Sequence, residues 1–144
     1  MVSLSLPSIP PSINHFYGTG RGGKRFVTEA GQAYVNEAKV HLARNFPQQL
    51  AAIKVDKPYL VYFRVYFDTL FNQGWPTKAK TRYKTNDASN RIKVLEDVLK
   101  KVAGIDDTQN LIVVIEKRMG RPLTEIFMWS LEEEATPFDG LRAL

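Results

Sequence analysis

The stretch YLVYFRVYF, residues 59–67, decides the fold because β-branched and aromatic side chains fall on both of its faces and no turn residue interrupts it. Such a run is typical of a strand that is buried on both sides. We therefore expect residues 59–67 to form the central strand of a sheet.

Upstream of this strand, the sequence predicts one short strand and one helix. Val2, Leu4 and Leu6 alternate with serines, and the proline-rich PSIPPS segment ends the strand. A glycine-rich loop, YGTGRGGKR, follows at 17–25. Thr28 is the predicted N-cap of a first helix, which Pro47 ends.

Downstream, a second helix is predicted over residues 88–103, with Asn86 or Asp87 as its cap and Gly104 as a left-handed stop. LIVVIEKR and TEIFMWSL then predict two strands, most simply a hairpin around Gly120 and Pro122. The order is β-α-β-α-β-β. We expect an α+β fold in which two helices cover one face of a mixed sheet of about four strands.

The length of 144 residues suits one domain, which we place at 1–131, followed by an acidic tail at 132–144 that we expect to be mobile. The absence of cysteine excludes disulfides, thiolate zinc sites and cysteine nucleophiles. We see neither a secretory leader nor a membrane span, and we expect a cytoplasmic protein. The net charge of +5 makes nucleic acid a reasonable partner.

Basic residues recur at every second position of KAKTRYK, residues 78–84. In an extended chain they project to one side and match a phosphate backbone, although a solvated loop has the same pattern. These four residues are Lys78, Lys80, Arg82 and Lys84. The glycine-rich loop adds Arg21, Lys24 and Arg25, which favours nucleic acid.

Carboxylates stand at both ends of the second predicted helix. Asp87 lies at its start, and Asp106 and Asp107 lie just past its end. The helix alone would separate the two ends by about 20 Å. Only the fold or a second subunit could bring them together. From the spacing alone, a helix cap at Asp87 and turn formation by Asp106 and Asp107 are slightly favoured over a metal site.

From PSIPPSINHFYG through EAGQAY to DASNRIKVLEDVL and GIDDTQ, the chain resembles the RusA family of Holliday-junction resolvases over most of its length. The resemblance implies that Asp87 and Asp107 bind a metal, with Asp106 as the near alternate. It further implies that Asn90 is the asparagine of the family signature and that Lys93 is catalytic beside the two metal-binding aspartates.

The same resemblance implies Mg²⁺ as cofactor, with Mn²⁺ as a substitute, and no organic cofactor. It implies a homodimer that acts on four-way or other branched DNA, since a two-fold dimer can cut paired strands. The strand 59–67 and the first helix are candidates for the dimer interface.

Ser89 departs from the family pattern, because it stands where a second aspartate is expected. A neutral hydroxyl is a weaker ligand for Mg²⁺ than a carboxylate. A junction-binding protein without cleavage therefore stays open beside the nuclease, and so does a general DNA or RNA binder.

Several further side chains are candidates for nucleic-acid contact. Asn14 and Tyr17 are candidates for phosphate binding. Trp75, Tyr83 and Phe16 could stack on exposed bases or pack within the protein.

Overall fold

The structure is a computed structural model that describes residues 1–85 and 88–139. In chain order the elements are β1 (Val2–Leu6), α1 (Ile13–Phe16), β2 (Tyr17–Thr19), β3 (Arg25–Val27), α2 (Glu29–Asn45), α3 (Pro47–Ala52), β4 (Tyr59–Phe67), α4 (Ser89–Ala103), β5 (Asn110–Met119) and β6 (Leu123–Ser130). The α+β class is confirmed, and the described chain adds two short helices and a small two-stranded ribbon, β2–β3, to the predicted elements.

Strand β4 lies inside a mixed four-stranded sheet of order β1-β6-β4-β5. It pairs parallel with β5 and antiparallel with β6, as expected for a central strand. Its Val61, Phe63 and Val65 are at most 1% exposed. The helices pack on this face, so the alternate residues Tyr62 and Arg64 stay half-buried and the prediction of burial on both faces is wrong.

The predicted hairpin between the last two strands is also wrong. β5 and β6 lie on opposite sides of β4 and do not pair with each other. Their three-residue connection crosses the end of β4, where the Gly120 backbone amide donates to the Phe67 carbonyl over 2.8 Å. Three residues are long enough to cross two strand spacings of about 4.8 Å each.

Helix α2 begins as predicted, because the Thr28 hydroxyl accepts a hydrogen bond from the Gly31 backbone amide at 3.0 Å. Its Val35, Ala38 and Leu42 enter the core. Pro47 follows α2 and opens the short helix α3, where its missing N–H costs nothing.

Helix α4 buries Val94, Leu95, Val98 and Leu99 against the same core, and Gly104 ends it with φ of 73°. This left-handed C-cap confirms the predicted stop. The N-cap position is Ala88, whose methyl group cannot cap. Asn86 and Asp87, the predicted caps, lie outside the described residues.

The chain after β6 contacts the domain. Lys54 and Lys57 pair with Glu133 and Glu132, each at 3.0 Å. Phe138 stacks on Tyr62 with 6.0 Å between ring centroids. Glu132 and Glu133 thus contact the loop before β4, and Phe138 lies on the face of the sheet that carries Tyr62.

Across residues 1–85 and 88–139, no helix is both long enough and apolar enough to cross a membrane.

Candidate active site

One face of α4 carries most of the residues singled out by the sequence. Lys93 lies four residues after Ser89 and three residues after Asn90, and Asp97 lies four residues after Lys93. Residues with this spacing are neighbours on a helix surface. The first two turns of α4 therefore present a polar face with a lysine at its centre.

Asp107 reaches this face from the chain that follows the helix. Gly104 reverses the chain, and Asp107 begins a short 3-10 turn, Asp107–Gln109. The Lys93 ammonium nitrogen lies 2.9 Å from Asp107 Oδ2 and 3.7 Å from Asp97 Oδ1. One lysine thus connects the helix to the downstream acid, and Lys93 is only about 6 Å of helix rise from Ser89.

The ion pair between Lys93 and Asp97, expected from their i, i+4 spacing, coexists with the contact to Asp107. Asp97 was missed as a member of the site, although this spacing is its signal in the sequence. Burial raises the pKa of Asp97; Lys101 opposes that rise, and the nearby charge of Asp107 adds to it. The site therefore contains two acids around one ammonium group.

Asp106 has a different environment from Asp107. Its Oδ2 atom lies 2.7 Å from the Lys100 ammonium, and its Oδ1 atom accepts from the backbone amide and the hydroxyl of Thr108, both at 3.1 Å. The hydrogen bond from Lys100, with those from Thr108, lowers the pKa of Asp106 well below its usual range. Asp106 therefore holds the turn on which Asp107 is displayed.

The N-terminal segment lies against the start of α4. Arg91 donates from Nη1 to the Pro10 carbonyl, and its guanidinium carbon lies 5.4 Å from the Phe67 ring centroid. Asn14, on α1, is exposed. Phe16 is fully buried, so its stacking on bases is excluded and it belongs to the core.

The glycine-rich loop forms the ribbon β2–β3, with a tight turn at Arg21–Gly23. Gly22 and Gly23 have φ of 72° and 75°, which other residues rarely adopt. Arg21, Lys24 and Arg25 are all exposed on it. The Arg25 guanidinium lies 4.8 Å from the half-buried Tyr17 ring, so the cation and the predicted phosphate contact are neighbours.

The basic run at 78–84 lies on one arm of an irregular hairpin, residues 70–84, named the aromatic hairpin here. Phe71 and Tyr83 form a bridge across it. All four predicted cations, Lys78, Lys80, Arg82 and Lys84, are exposed. Arg82 differs from the lysines because its guanidinium lies beside three aromatic rings.

Of the two predicted metal-binding acids, Asp107 is among the residues that the structure describes. Asp87 lies outside the described residues. Within residues 1–85 and 88–139 there is no group of three His, Cys, Asp or Glu side chains that could hold a metal ion. The contact between Lys93 and Asp107 is thus the observed link between the two parts of the motif.

A family model described as Endodeoxyribonuclease RusA matches residues 7–128 of the chain. No match to the chain is found among curated proteins. Because the family match covers most of the 144 residues, the chain belongs to the RusA endodeoxyribonuclease family. Membership implies a nuclease of the Holliday-junction resolvase type that acts on branched DNA.

Proposed function

We propose that the protein is a Mg²⁺-dependent, homodimeric endonuclease that resolves four-way DNA junctions in the cytoplasm, in recombination and repair. The observation that carries the proposal is the 2.9 Å contact between Lys93 and Asp107. It supports a joint role for residues that are 14 positions apart in the chain and that the family pattern assigns to one site.

The available donors suit a hard divalent cation. Asp107 keeps 45% of its side chain exposed, and Ser89 and Asn90 add oxygen atoms on the facing helix. Carboxylate and amide oxygens with water are the ligands Mg²⁺ prefers, and Mn²⁺ accepts the same donors. We assign Asp87 and Asp107 as the metal ligands, with Asp106 fixing the turn.

When bound, the cation would orient and activate a water for hydrolysis of a phosphodiester. Lys93 has a separate role. Its ammonium pairs with both Asp107 and Asp97 in the free protein, and we assign to it the stabilisation of negative charge that develops on the scissile phosphate.

The exposed cations of the aromatic hairpin and of the ribbon would contact the phosphate backbone of the DNA. A two-fold dimer would place two such sites on the two-fold symmetric junction, so that paired strands are cut. The role of Asp87 as a metal ligand and the dimer both rest on the family pattern.

The test is cutting of a synthetic four-way junction in Mg²⁺, in Mn²⁺ and in chelator, with linear duplex as the second substrate. We expect Asp107→Asn to abolish cutting while junction binding persists. Asp56→Asn, a matched change of an exposed carboxylate in the loop between α3 and β4, is the control and should cut like the wild type. Cutting by Asp107→Asn at the wild-type rate would refute the assigned role.

A second function is favoured by one observation, the neutral Ser89 at the first residue of α4. A junction-binding protein without cleavage would bind equally well in chelator and would not cut in either metal. Ser89→Asp separates the two functions. If the wild type does not cut and Ser89→Asp does, the junction-binding protein is supported. If the wild type already cuts, the nuclease is supported.

A further inference from the structure

The aromatic hairpin, residues 70–84, is held in one conformation by its own hydrogen bonds. The backbone N–H of Asn72 donates to the Arg82 carbonyl at 2.9 Å, and the backbone N–H of Lys84 donates to the Leu70 carbonyl at 2.8 Å. The Asn72 side chain bonds the carbonyls of Thr81 and Tyr83 across the hairpin. This segment is therefore an ordered projection, although it contains no regular strand.

Three aromatic rings are displayed on this projection. Phe71, Trp75 and Tyr83 are 38%, 45% and 58% exposed. Phe71 and Tyr83 lie 5.4 Å apart between ring centroids. Exposed aromatic rings grouped at this density are a feature of interaction surfaces, since each ring leaves apolar area in water.

Arg82 is at the centre of the group. Its guanidinium carbon lies 5.7 Å from the ring centroids of Trp75 and Tyr83 and 5.9 Å from that of Phe71. A cation in contact with all three rings keeps them together through cation–π attraction. The same guanidinium is exposed and can meet a phosphate.

The charge around the rings selects the occupant. Residues 69–85 contain four basic residues and no Asp or Glu, so the hairpin is strongly positive. A positive surface that also displays aromatic faces suits single-stranded nucleic acid, where cations hold the backbone and rings stack on bases. Fully paired duplex offers such rings only phosphates and groove edges.

The position of the hairpin connects it to the site. Two residues separate it from the end of β4, and its last residue, Lys84, lies five positions before Ser89, the first residue of α4. The hairpin is thus close along the chain to the helix that carries Lys93.

We propose that the aromatic hairpin is a stacking surface for unpaired nucleobases at the branch point of four-way DNA, and that it gives the protein its preference for branched over linear DNA. This inference rests on the proposed function, because it supplies the substrate selectivity of that same site. Trp75 and Tyr83 are the stacking residues, and Arg82 positions them.

The binding test compares two substitutions of one ring. Trp75→Phe keeps an aromatic face, whereas Trp75→Leu keeps apolar area without one. In chelator, we expect Trp75→Leu to bind a four-way junction about tenfold more weakly while binding of linear duplex is almost unchanged, and Trp75→Phe to retain most of the preference. Tyr83→Leu and Tyr83→Phe should behave in the same way.

A spectroscopic test reports on the contact itself. The protein has two tryptophans, so Trp129→Phe leaves Trp75 as the single tryptophan, whose emission is excited selectively at wavelengths that tyrosine does not absorb. We expect oligothymidine and the four-way junction to quench its emission, and linear duplex to quench it much less. This readout needs neither metal nor cleavage.

The outcomes separate this inference from the proposed function. If the wild type binds and cuts junctions but Trp75→Leu keeps the full preference for them, the stacking surface is refuted and the nuclease stands. An equal loss for junction and duplex also refutes it. So does a changed oligomeric state with unchanged preference, which would assign the rings to a protein contact. If the wild type neither prefers nor cuts junctions, the proposed function fails, and quenching by oligothymidine alone would still support base stacking.

Discussion

Two arginines in this molecule lie against clusters of aromatic rings, and their surroundings differ. Arg64, on β4, lies 5.6 Å and 5.2 Å from the ring centroids of Tyr62 and Phe127 and pairs with Glu116 and Glu125 at 3.3 Å and 3.5 Å. Arg82 has three rings around it on a hairpin without acids.

The two clusters also differ in exposure. The sheet cluster surrounds a cavity of about 370 Å³, which Phe138 and Met1 help to line. The charge of Arg64 is balanced by Glu116 and Glu125. Burial acts to lower the pKa of Arg64, but its hydrogen bonds with Tyr66, Tyr62 and Glu116 outweigh that effect and hold the pKa above its usual range. The hairpin cluster is open to solvent, and the hairpin itself contains no acid to balance the charge of Arg82. We therefore expect the rings around Arg64, whose charge is paired with acids, to stabilise the fold. We expect the rings around Arg82 to be available to an anionic ligand.

The largest effect is expected at the proposed site, where Lys93 pairs with two acids. Lys93→Met should lower the rate of junction cutting by about 10² to 10³, because a positioned charge at the reacting phosphate is lost. Junction affinity should fall little. Single-turnover cutting and gel-shift binding measure the two quantities, and a large loss of binding with normal cutting would contradict the role.

Arg82→Met tests the unbalanced cluster. We expect junction affinity to fall about tenfold and the salt dependence of duplex binding to lose about one phosphate contact, with little change in the free energy of unfolding. Titrations at several salt concentrations provide both values. Unchanged salt dependence would show that Arg82 is not in contact with phosphate.

Arg64→Met is the matched substitution in the balanced cluster. It leaves Glu116 and Glu125 half-buried without their cation, so we expect a loss of about 1–2 kcal/mol in the free energy of unfolding. Urea denaturation measures this loss. DNA affinity per folded molecule should stay at the wild-type value, and a selective loss of junction binding would remove the contrast between the clusters.

The smallest effect concerns Asp106. Its folded-state pKa lies below its ordinary value of 3.8, so its contribution to stability is present above that pH and is lost as pH falls toward the folded pKa. In Asp106→Asn, the melting temperature should fall less than in the wild type as the pH drops below about 4. Asp107 should stay beside Lys93 in this variant. Thermal melts from pH 2 to pH 7 test this expectation, and parallel curves for both proteins would contradict it.

Much of the fold could be predicted because local chemistry determines it. The apolar run at 59–67, the hydroxyl of Thr28 and the glycine at 104 each specify their element without help from the rest of the chain. The order of strands could not be predicted, because Gly120–Pro122 suits a hairpin as well as a crossing over β4. β5 pairs parallel with β4 through a crossover connection that contains α4, and this pairing joins residues far apart in the chain.

The site shows the same division. Helical spacing places Ser89, Asn90 and Lys93 on one face, but the return of Asp107 to Lys93 depends on the turn that Asp106 caps. The grouping of three rings around Arg82 depends on cross-hairpin bonds from Asn72, which have no signature in the sequence. The sequence offered the cations at 78–84 as candidates for phosphate contact and Trp75 and Tyr83 as candidates for base stacking, but it could not place Phe71 and these two rings around Arg82.

The most direct test of the central claim is a crystal structure of the protein with Mn²⁺, located by anomalous scattering. We predict one ion per site, bonded to Asp107 and to Asp87 of the same or the partner chain, with the Lys93 ammonium displaced from Asp107 and still beside Asp97. A manganese ion bound elsewhere, with Asp107 paired only to Lys93, would contradict the proposed metal site.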